Sequence, residues 1–204
     1  TEWINKIGEI KESDLLIIAI KDDALSEIIP LLPNIPQVHT SGNTDIDIFK
    51  KAHDFGVFYP LQTFNKELDI SFNNIPICIE ANNNSFEKEL VKIAKSISSS
   101  IHVMDSNKRK LLHISAVFAC NFSNHMISIG QEILVDNNID PSILLPLIKQ
   151  NTLKLDKGIL ARDLQTGPAK RKDLNIINDH LENIKDKDKY KIYKKISENI
   201  IKHE

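Results

Sequence analysis

The segment Arg109 to Gln131, RKLLHISAVFACNFSNHMISIGQ, carries no Lys, Arg, Asp or Glu from Leu111 onward, in a chain that is 26% charged. It still holds His113, Asn121, Asn124, His125, Ser128 and Gln131. Imidazole titrates near neutrality, so His113 is a candidate to give or take a proton. Asn121 and Asn124 can hydrogen-bond a carbonyl, an amide or a bound water. The run has no Pro and its apolar groups recur at helical spacing, which predicts a helix. At about 100° per residue, Phe118, Phe122, Met126, Ile129 and Ile133 share one face. Arg109, His113, Asn124, Ser128 and Gln131 line the opposite one, with Lys110 and Asn121 beside them. Such an uncharged polar stripe is expected to face a protein cleft or a partner. The competing reading is structural, because buried Asn, Ser and His often only satisfy nearby backbone groups. His125 lies well round the helix from His113, so the two need not act together.

Three other groups could carry chemistry. Lys21 and Asp22 follow the apolar run DLLIIAI, where a strand is expected to end, and ligands of open α/β sheets sit outside the carboxyl ends of strands. Asp22 reads equally well as a helix N-cap. His39-Thr40-Ser41-Gly42-Asn43 ends the next strand and offers an imidazole, two hydroxyls and a glycine. A turn explains Gly42 and Asn43 but does not require His39. The last group is Arg162 to Arg171, RDLQTGPAKR, with Asp173 close behind. Thr166-Gly167-Pro168 reads as a turn before a helix, whose free N–H groups, together with Arg162 and Arg171, suit a carboxylate or phosphate. The same residues are also ordinary helix punctuation. Arg109, Arg162 and Arg171 are the chain's three arginines among 26 Lys plus Arg, and all fall in these segments.

Composition narrows the classes. With 204 residues, 41% hydrophobic, the chain can form one large or two small domains with a real core. A net charge of −2 gives no electrostatic case for a nucleic-acid or anionic-membrane partner. A transmembrane reading of the uncharged run fails, since two His, two Asn and a Gln are too costly in hydrocarbon. Cys78 and Cys120 lie in apolar runs and read as buried free thiols of a reducing cytoplasm. No Cys/His spacing points to zinc, so no metal site is expected.

The first half alternates strand and helix signals. Strands are expected at 14–20, 37–40, 56–63, 76–81 and 101–104, with Pro60 marking an edge or a bulge. Helices are expected from Asp22 to about Leu32, from Asn43 to His53, and from Ser85 to Ile97. In the last, Ser85 is the cap and Leu90, Ile93, Ala94 and Ile97 face inward. The opening TEWINKIGEIK also looks helical. After Asp105 only helices are expected, at about 107–136, 141–155, 170–184 and 187–202, with Asp140-Pro141 a good start. An α/β half followed by an all-α half suggests two domains, 1–105 and 106–204, with a ligand cleft between them. The six glycines, at 8, 42, 56, 130, 158 and 167, contain no G-x-G-x-x-G turn. The first βαβ unit of a dinucleotide-binding sheet is therefore expected to be absent from this chain.

Four segments in order resemble one family. VHTSGN at 38–43, GVFYPLQTF at 56–64, KLLHISAVFACNFSNH at 110–125 and TGPAKRKD at 166–173 look like the signature of Rossmann-like oxidoreductases whose helical half is domain of unknown function 2520. The resemblance covers nearly the whole chain. It implies a partial Rossmann-like sheet domain followed by a helical domain like the C-terminal domain of 6-phosphogluconate dehydrogenase, as in pyrroline-5-carboxylate reductase. It also implies NADP, with NAD the alternative, a small-molecule substrate and a homodimer. Carried over position by position, Lys21, Asp22, His39, Thr40 and Ser41 stand near the cofactor, and His113, Asn121 and Asn124 form the catalytic group. His125, Arg162, Thr166, Gly167 and Arg171 meet the substrate. Related dehydrogenases often use a Lys as acid, which makes Lys110 the alternative to His113. The expected function is a cytoplasmic NADP-dependent oxidoreductase working in the cleft between the domains. A non-catalytic dinucleotide-binding or sensing protein with a helical dimerisation half is the competing class.

Overall fold

The structure is a computed structural model describing residues 2, 4–11, 13–49, 52–65 and 69–203. The chain divides into two compact units, Thr1–Ser123 and Asn124–Glu204.

The first unit is built on a five-stranded sheet of order β1-β2-β3-β4-β5. The strands are β1 (Leu16–Ile18), β2 (Gln37–His39), β3 (Phe55–Pro60), β4 (Ile77–Ala81) and β5 (Ile101–Val103). β1, β2 and β3 are parallel, β4 runs against β3, and β5 is parallel to β4. Each expected strand is present. Pro60, however, lies on an inner strand and not on an edge or a bulge. It is tolerated because the next bond toward β4 is made by Leu61 N to Pro76 O and β2 ends opposite Val57, so no ladder N–H is needed at residue 60 itself.

Helix α1 (Asp22–Ile28), continued by a 3₁₀ turn at Ile29–Leu31, links β1 to β2, and α2 (Asn84–Lys95) links β4 to β5. Side chains alternate across a strand, so register fixes the two faces of the sheet. Val38, Phe58, Ile77 and Ile79 pack with Phe86, Leu90 and Ala94 of α2. Ile18 pairs with His39, one step from Val38, so the second cluster, Ile18, Leu25, Ile29 and Phe49, covers the other face. Val57, Tyr59 and Glu80 share this second face, since Val57 stands opposite both His39 and Glu80.

Several local expectations are corrected. Lys21, not Asp22, occupies the N-cap of α1, and Asp22 is the first helical residue. In α2 the cap is Asn83, which accepts from Phe86 N at 3.0 Å, while Ser85 lies inside the helix. Ile93 and Ile97 are exposed because Phe86, Leu90 and Ala94, spaced by four, claim the inward stripe. The segment 43–53 holds one 3₁₀ turn, Ile46–Ile48, capped by Asp45, and no α-helix among the described residues. Residues 50 and 51 of that expectation lie outside them. The opening segment likewise holds only a 3₁₀ turn, Ile7–Glu9, with residues 1 and 3 outside the description.

The uncharged run lies on a long helix made of α3 (Ser106–Ala116), a π-helical stretch at Val117–Phe122, and α4 (Ser123–Val135). The division between the units falls just after the π-helical stretch. In the second unit, Asp140 caps a 3₁₀ turn at Pro141–Leu144 that leads into α5 (Leu145–Leu153). α6 (Leu174–Asn183) and α7 (Lys187–Lys202) are joined by a 2.7 Å bond between His180 Nδ1 and Tyr193 Oη. Lys189 of α7 pairs with Glu132 of α4 at 3.0 Å.

Candidate functional site

Helix α3 is anchored to the sheet by one carboxylate. Glu80 accepts from Ser106 N at 2.9 Å and from Ser106 Oγ at 2.8 Å, at the first residue of α3. It also pairs with the Arg109 guanidinium, which is fully buried. A helix N-terminus favours an anion, and the bidentate-capable Arg109 neutralises it. Arg109 Nη2 further donates to the Thr44 carbonyl and, at 3.1 Å, to Ser106 Oγ. Ser106 Oγ accepts from Ile46 N at 3.1 Å, and Lys110 Nζ pairs with Asp45 Oδ2 at 3.0 Å. The Asp47 N–H, and after it Lys110, holds the Asp45 carboxyl below the usual carboxylate range. The loop after β2 and the first turns of α3 are thus fastened together.

This anchor brings His113 to the rim of the sheet. Arg109 and His113 are four residues apart, which is about 6 Å along a helix. Glu80 stands opposite Val57, and Tyr59 lies two residues further along β3, about 7 Å away. The two spacings match, so the helix that sets Arg109 on Glu80 also sets His113 on Tyr59. Tyr59 Oη and His113 Nδ1 are 3.1 Å apart, with the rings edge to face. The burial of Tyr59 raises the pKa of its phenol.

The end of β2 packs against this pair. An added Cβ on Gly42 would stand 2.7 Å from His113 Nδ1 and 2.9 Å from Tyr59 Oη. Gly42 is not among the residues with positive φ, so close approach, not turn conformation, requires glycine here. Ser41 is buried and donates to Asp22 Oδ2 at 2.7 Å, while its Oγ accepts from Asn43 N and Thr44 N. That contact is where the Asp22 carboxylate is spent. His39 is wholly buried, stacks on Phe49, and accepts from Ser41 N at Nδ1. Burial first, then Arg109, lowers its pKa from 6.5 to about 4, so the ring is neutral. Thr40 is half-buried and Lys21 is exposed, both at the carboxyl ends of their strands.

The structure therefore brings Asp22, His39, Thr40, Ser41 and His113 to one rim. His39, Asp22 and Ser41 are engaged with each other's backbone and side chains. Asn121 is exposed on the π-helical stretch. Asn124 and His125 are exposed at the start of the second unit. So are Arg162, beside Asp163 at 3.7 Å, and Thr166 and Arg171. Gly167 adopts φ 100, and the turn closes through Arg171 N to Gly167 O and Asp173 N to Pro168 O. Helix α6 begins only at Leu174, and Asp173 itself caps Ile176 N. One N–H at that start is therefore already satisfied, contrary to the expectation of a free anion site directly after Gly167-Pro168. Cys78 is buried, its thiol pushed up to about 11 by burial, whereas Cys120 is exposed and corrects the expectation of two buried thiols.

Sequence reasoning did not single out Tyr59 and Glu80. Both were visible as polar residues in otherwise apolar strands, GVFYP and ICIEA. Among the described residues, no three His, Cys, Asp or Glu side chains form a group able to hold a metal ion. No helix among them is long and apolar enough to cross a membrane.

The model of the domain of unknown function DUF2520 matches residues 75–200, more than half of the 204-residue chain. The chain belongs to the DUF2520 family. This is the family resembled by the segments at 110–125 and 166–173, which lie inside the match, and by VHTSGN and GVFYPLQTF, which precede it. Among solved structures, this DUF2520 chain is 33% identical to a candidate NADP oxidoreductase from Bacteroides fragilis, with a TM-score of 0.90 over 98% of this chain and 80% of that one. A Thermotoga maritima protein shares 24% identity with a TM-score of 0.72, over 94% and 78% of the two chains. Plasmodium falciparum pyrroline carboxylate reductase, solved with NADP bound, shares the fold at 14% identity and a TM-score of 0.52, over 91% and 79%. No curated protein matches the chain.

Proposed function

We propose that this DUF2520 chain belongs to an NADP-dependent oxidoreductase of the cytoplasm, with NAD the alternative cofactor, acting on a small polar substrate. The observation that carries the reading is His113, half-buried and hydrogen-bonded to Tyr59 beside Gly42, at the carboxyl rim of the parallel strands. Ligands of such sheets bind at that rim. The name of the Bacteroides fragilis relative supports the same class.

The rim residues fit one end of a dinucleotide. Exposed Ile20 and Lys21 after β1 and the Thr40 hydroxyl after β2 offer an apolar surface, a cation and a hydrogen-bonding group. None of the six glycines forms a phosphate-cradling turn, so we assign the pyrophosphate to no residue of this chain. When bound, the nicotinamide supplies hydride chemistry. The chain's own work is to hold the substrate and move a proton. His113 gives or takes that proton, and Asn121 and Asn124 orient the substrate. Lys110 is a poorer candidate, because Asp45 engages its ammonium. Exposed Arg162 and Arg171, with His125, Thr166 and Gly167, serve an acidic substrate group. Residues 1–105 form the cofactor part in this reading, and 106–204 the substrate and dimerisation part. Ile143, Leu147, Leu160 and Leu174 are large apolar side chains left exposed in the second unit, and in this reading a homodimer would cover such side chains.

Calorimetric titration of NADPH and NADH into the full-length protein tests the reading. Binding of NADPH is the expected result, and binding of neither nucleotide would overturn it. Nucleotide binding without turnover on any carbonyl or imine panel would favour a sensing protein. Once a substrate is in hand, His113→Ala is expected to lower kcat by 10²–10⁴-fold, the range of general acid–base catalysis.

A further inference from the structure

We infer that Tyr59 and Gly42 are positioning residues that commit His113 Nδ1 to the protein and leave Nε2 as the one ring nitrogen able to meet a substrate. The inference rests on the proton-handling role proposed for His113 and adds which nitrogen works and what holds it. The geometry has three parts. Tyr59 Oη lies 3.1 Å from Nδ1. Gly42 packs so closely that any Cβ would press on both Nδ1 and the phenol oxygen. One turn back on the same helix, the buried Arg109–Glu80 pair keeps α3 from sliding along the sheet.

A phenol suits a group that cycles a proton. A carboxylate or a backbone carbonyl at Nδ1, each only an acceptor, would hold a proton on Nδ1 in every state. A hydroxyl both donates and accepts. With the ring neutral, the Tyr59 O–H donates to Nδ1 and the ring proton sits on Nε2. A half-buried hydroxyl is favoured by such an acceptor. With the ring protonated, the hydroxyl turns and accepts from Nδ1–H. When the imidazolium passes its Nε2 proton to a substrate oxygen, the ring is left as the Nδ1–H tautomer bonded to Tyr59; loss of that proton to solvent and reprotonation at Nε2 then restore the resting ring, with Tyr59 again donating to Nδ1. With its pKa raised by burial, the phenol keeps its own proton throughout the neutral range, whichever way the hydroxyl points.

The imidazole nitrogen chemical shifts of His113 read this directly by NMR, assigned by the signals that His113→Gln removes. The neutral ring is expected to be a single tautomer, protonated at Nε2. Tyr59→Phe, which removes only the hydroxyl, is expected to let both tautomers populate. Gly42→Ala is expected to do the same by pushing the ring from Tyr59, and thermal unfolding of each variant shows whether it is folded. A neutral ring carrying its proton on Nδ1, or unchanged shifts in Tyr59→Phe, would overturn the inference. A folded Gly42→Ala protein with wild-type shifts would remove Gly42 from it. These outcomes are independent of nucleotide binding. A tautomer change in a protein that binds neither NADPH nor NADH would leave the pairing in place and remove the oxidoreductase reading.

Discussion

Arg109 shows how a single residue fixes the candidate site. Its side chain is fully buried, yet it answers the Glu80 carboxylate, the Thr44 carbonyl and the Ser106 hydroxyl at once. Removing one partner of a buried pair leaves the other uncompensated. Arg109→Met is therefore expected to cost roughly 3–5 kcal/mol, read from the urea midpoint. Adding Glu80→Leu to Arg109→Met removes the stranded carboxylate and is expected to recover part of that loss, though Ser106 N then loses its acceptor. A double variant less stable than the sum of the singles would show that the pair is not the main contact holding α3. The sequence displayed Arg109 and His113 on one helical face, and the structure keeps both against the sheet. It did not display their partners. Tyr59 and Glu80 sit on strands distant in sequence, and which strand face they occupy depends on register, which the local pattern does not encode. Gly42 was legible as a turn residue, but its actual constraint is the approach of two aromatic groups from elsewhere in the chain.

At the scale of elements, the strands were legible because apolar runs bounded by Pro, Gly and Asn leave few alternatives. Helix ends were less so. Ser85 and Asn83 are both good N-caps, and the choice is made by tertiary contacts. Asn83 also donates to Asp54 Oδ1 at 2.8 Å, which pins it before the helix. Asn83→Ala is expected to lose about 1–2 kcal/mol, while Ser85→Ala stays within about 0.5 kcal/mol, measured by chemical denaturation. Comparable losses at the two positions would contradict the assigned cap. The 43–53 segment has helical periodicity but is drawn out by Ser106, Arg109 and Lys110, which bind its backbone and Asp45. The π-helical stretch at Val117–Phe122 was not legible either, since its residues fit an α-helix equally well. Such stretches often stand at functional sites. Here it carries Asn121 and turns Phe118 and Phe122 to solvent, where they pack edge to face.

The whole molecule should report the burial of His39 through its response to acid. The ring is neutral in the folded protein because its pKa falls to about 4, whereas an unfolded chain holds it near 6.5. Between those values the unfolded state binds the extra proton, so acid favours unfolding. The stabilisation is complete above pH 6.5, declines as pH falls, and is gone once pH drops below about 4. Each pH unit in that window corresponds to about 1.4 kcal/mol, which puts the loss at ~3 kcal/mol. Carboxylates that the fold holds below their usual range, such as Asp45 and Asp54, lose their contribution only at lower pH. The upper part of the acid limb therefore belongs mainly to His39. His39→Asn keeps an acceptor for Ser41 N but has nothing to titrate. Its unfolding free energy is expected to stay nearly flat from pH 6.5 to 4.5 while the parent protein loses stability steadily. An Asn variant with the parent's slope would mean that His39 does not supply the slope and that its folded ring is solvated well enough to keep an ordinary pKa, against its packing on Phe49.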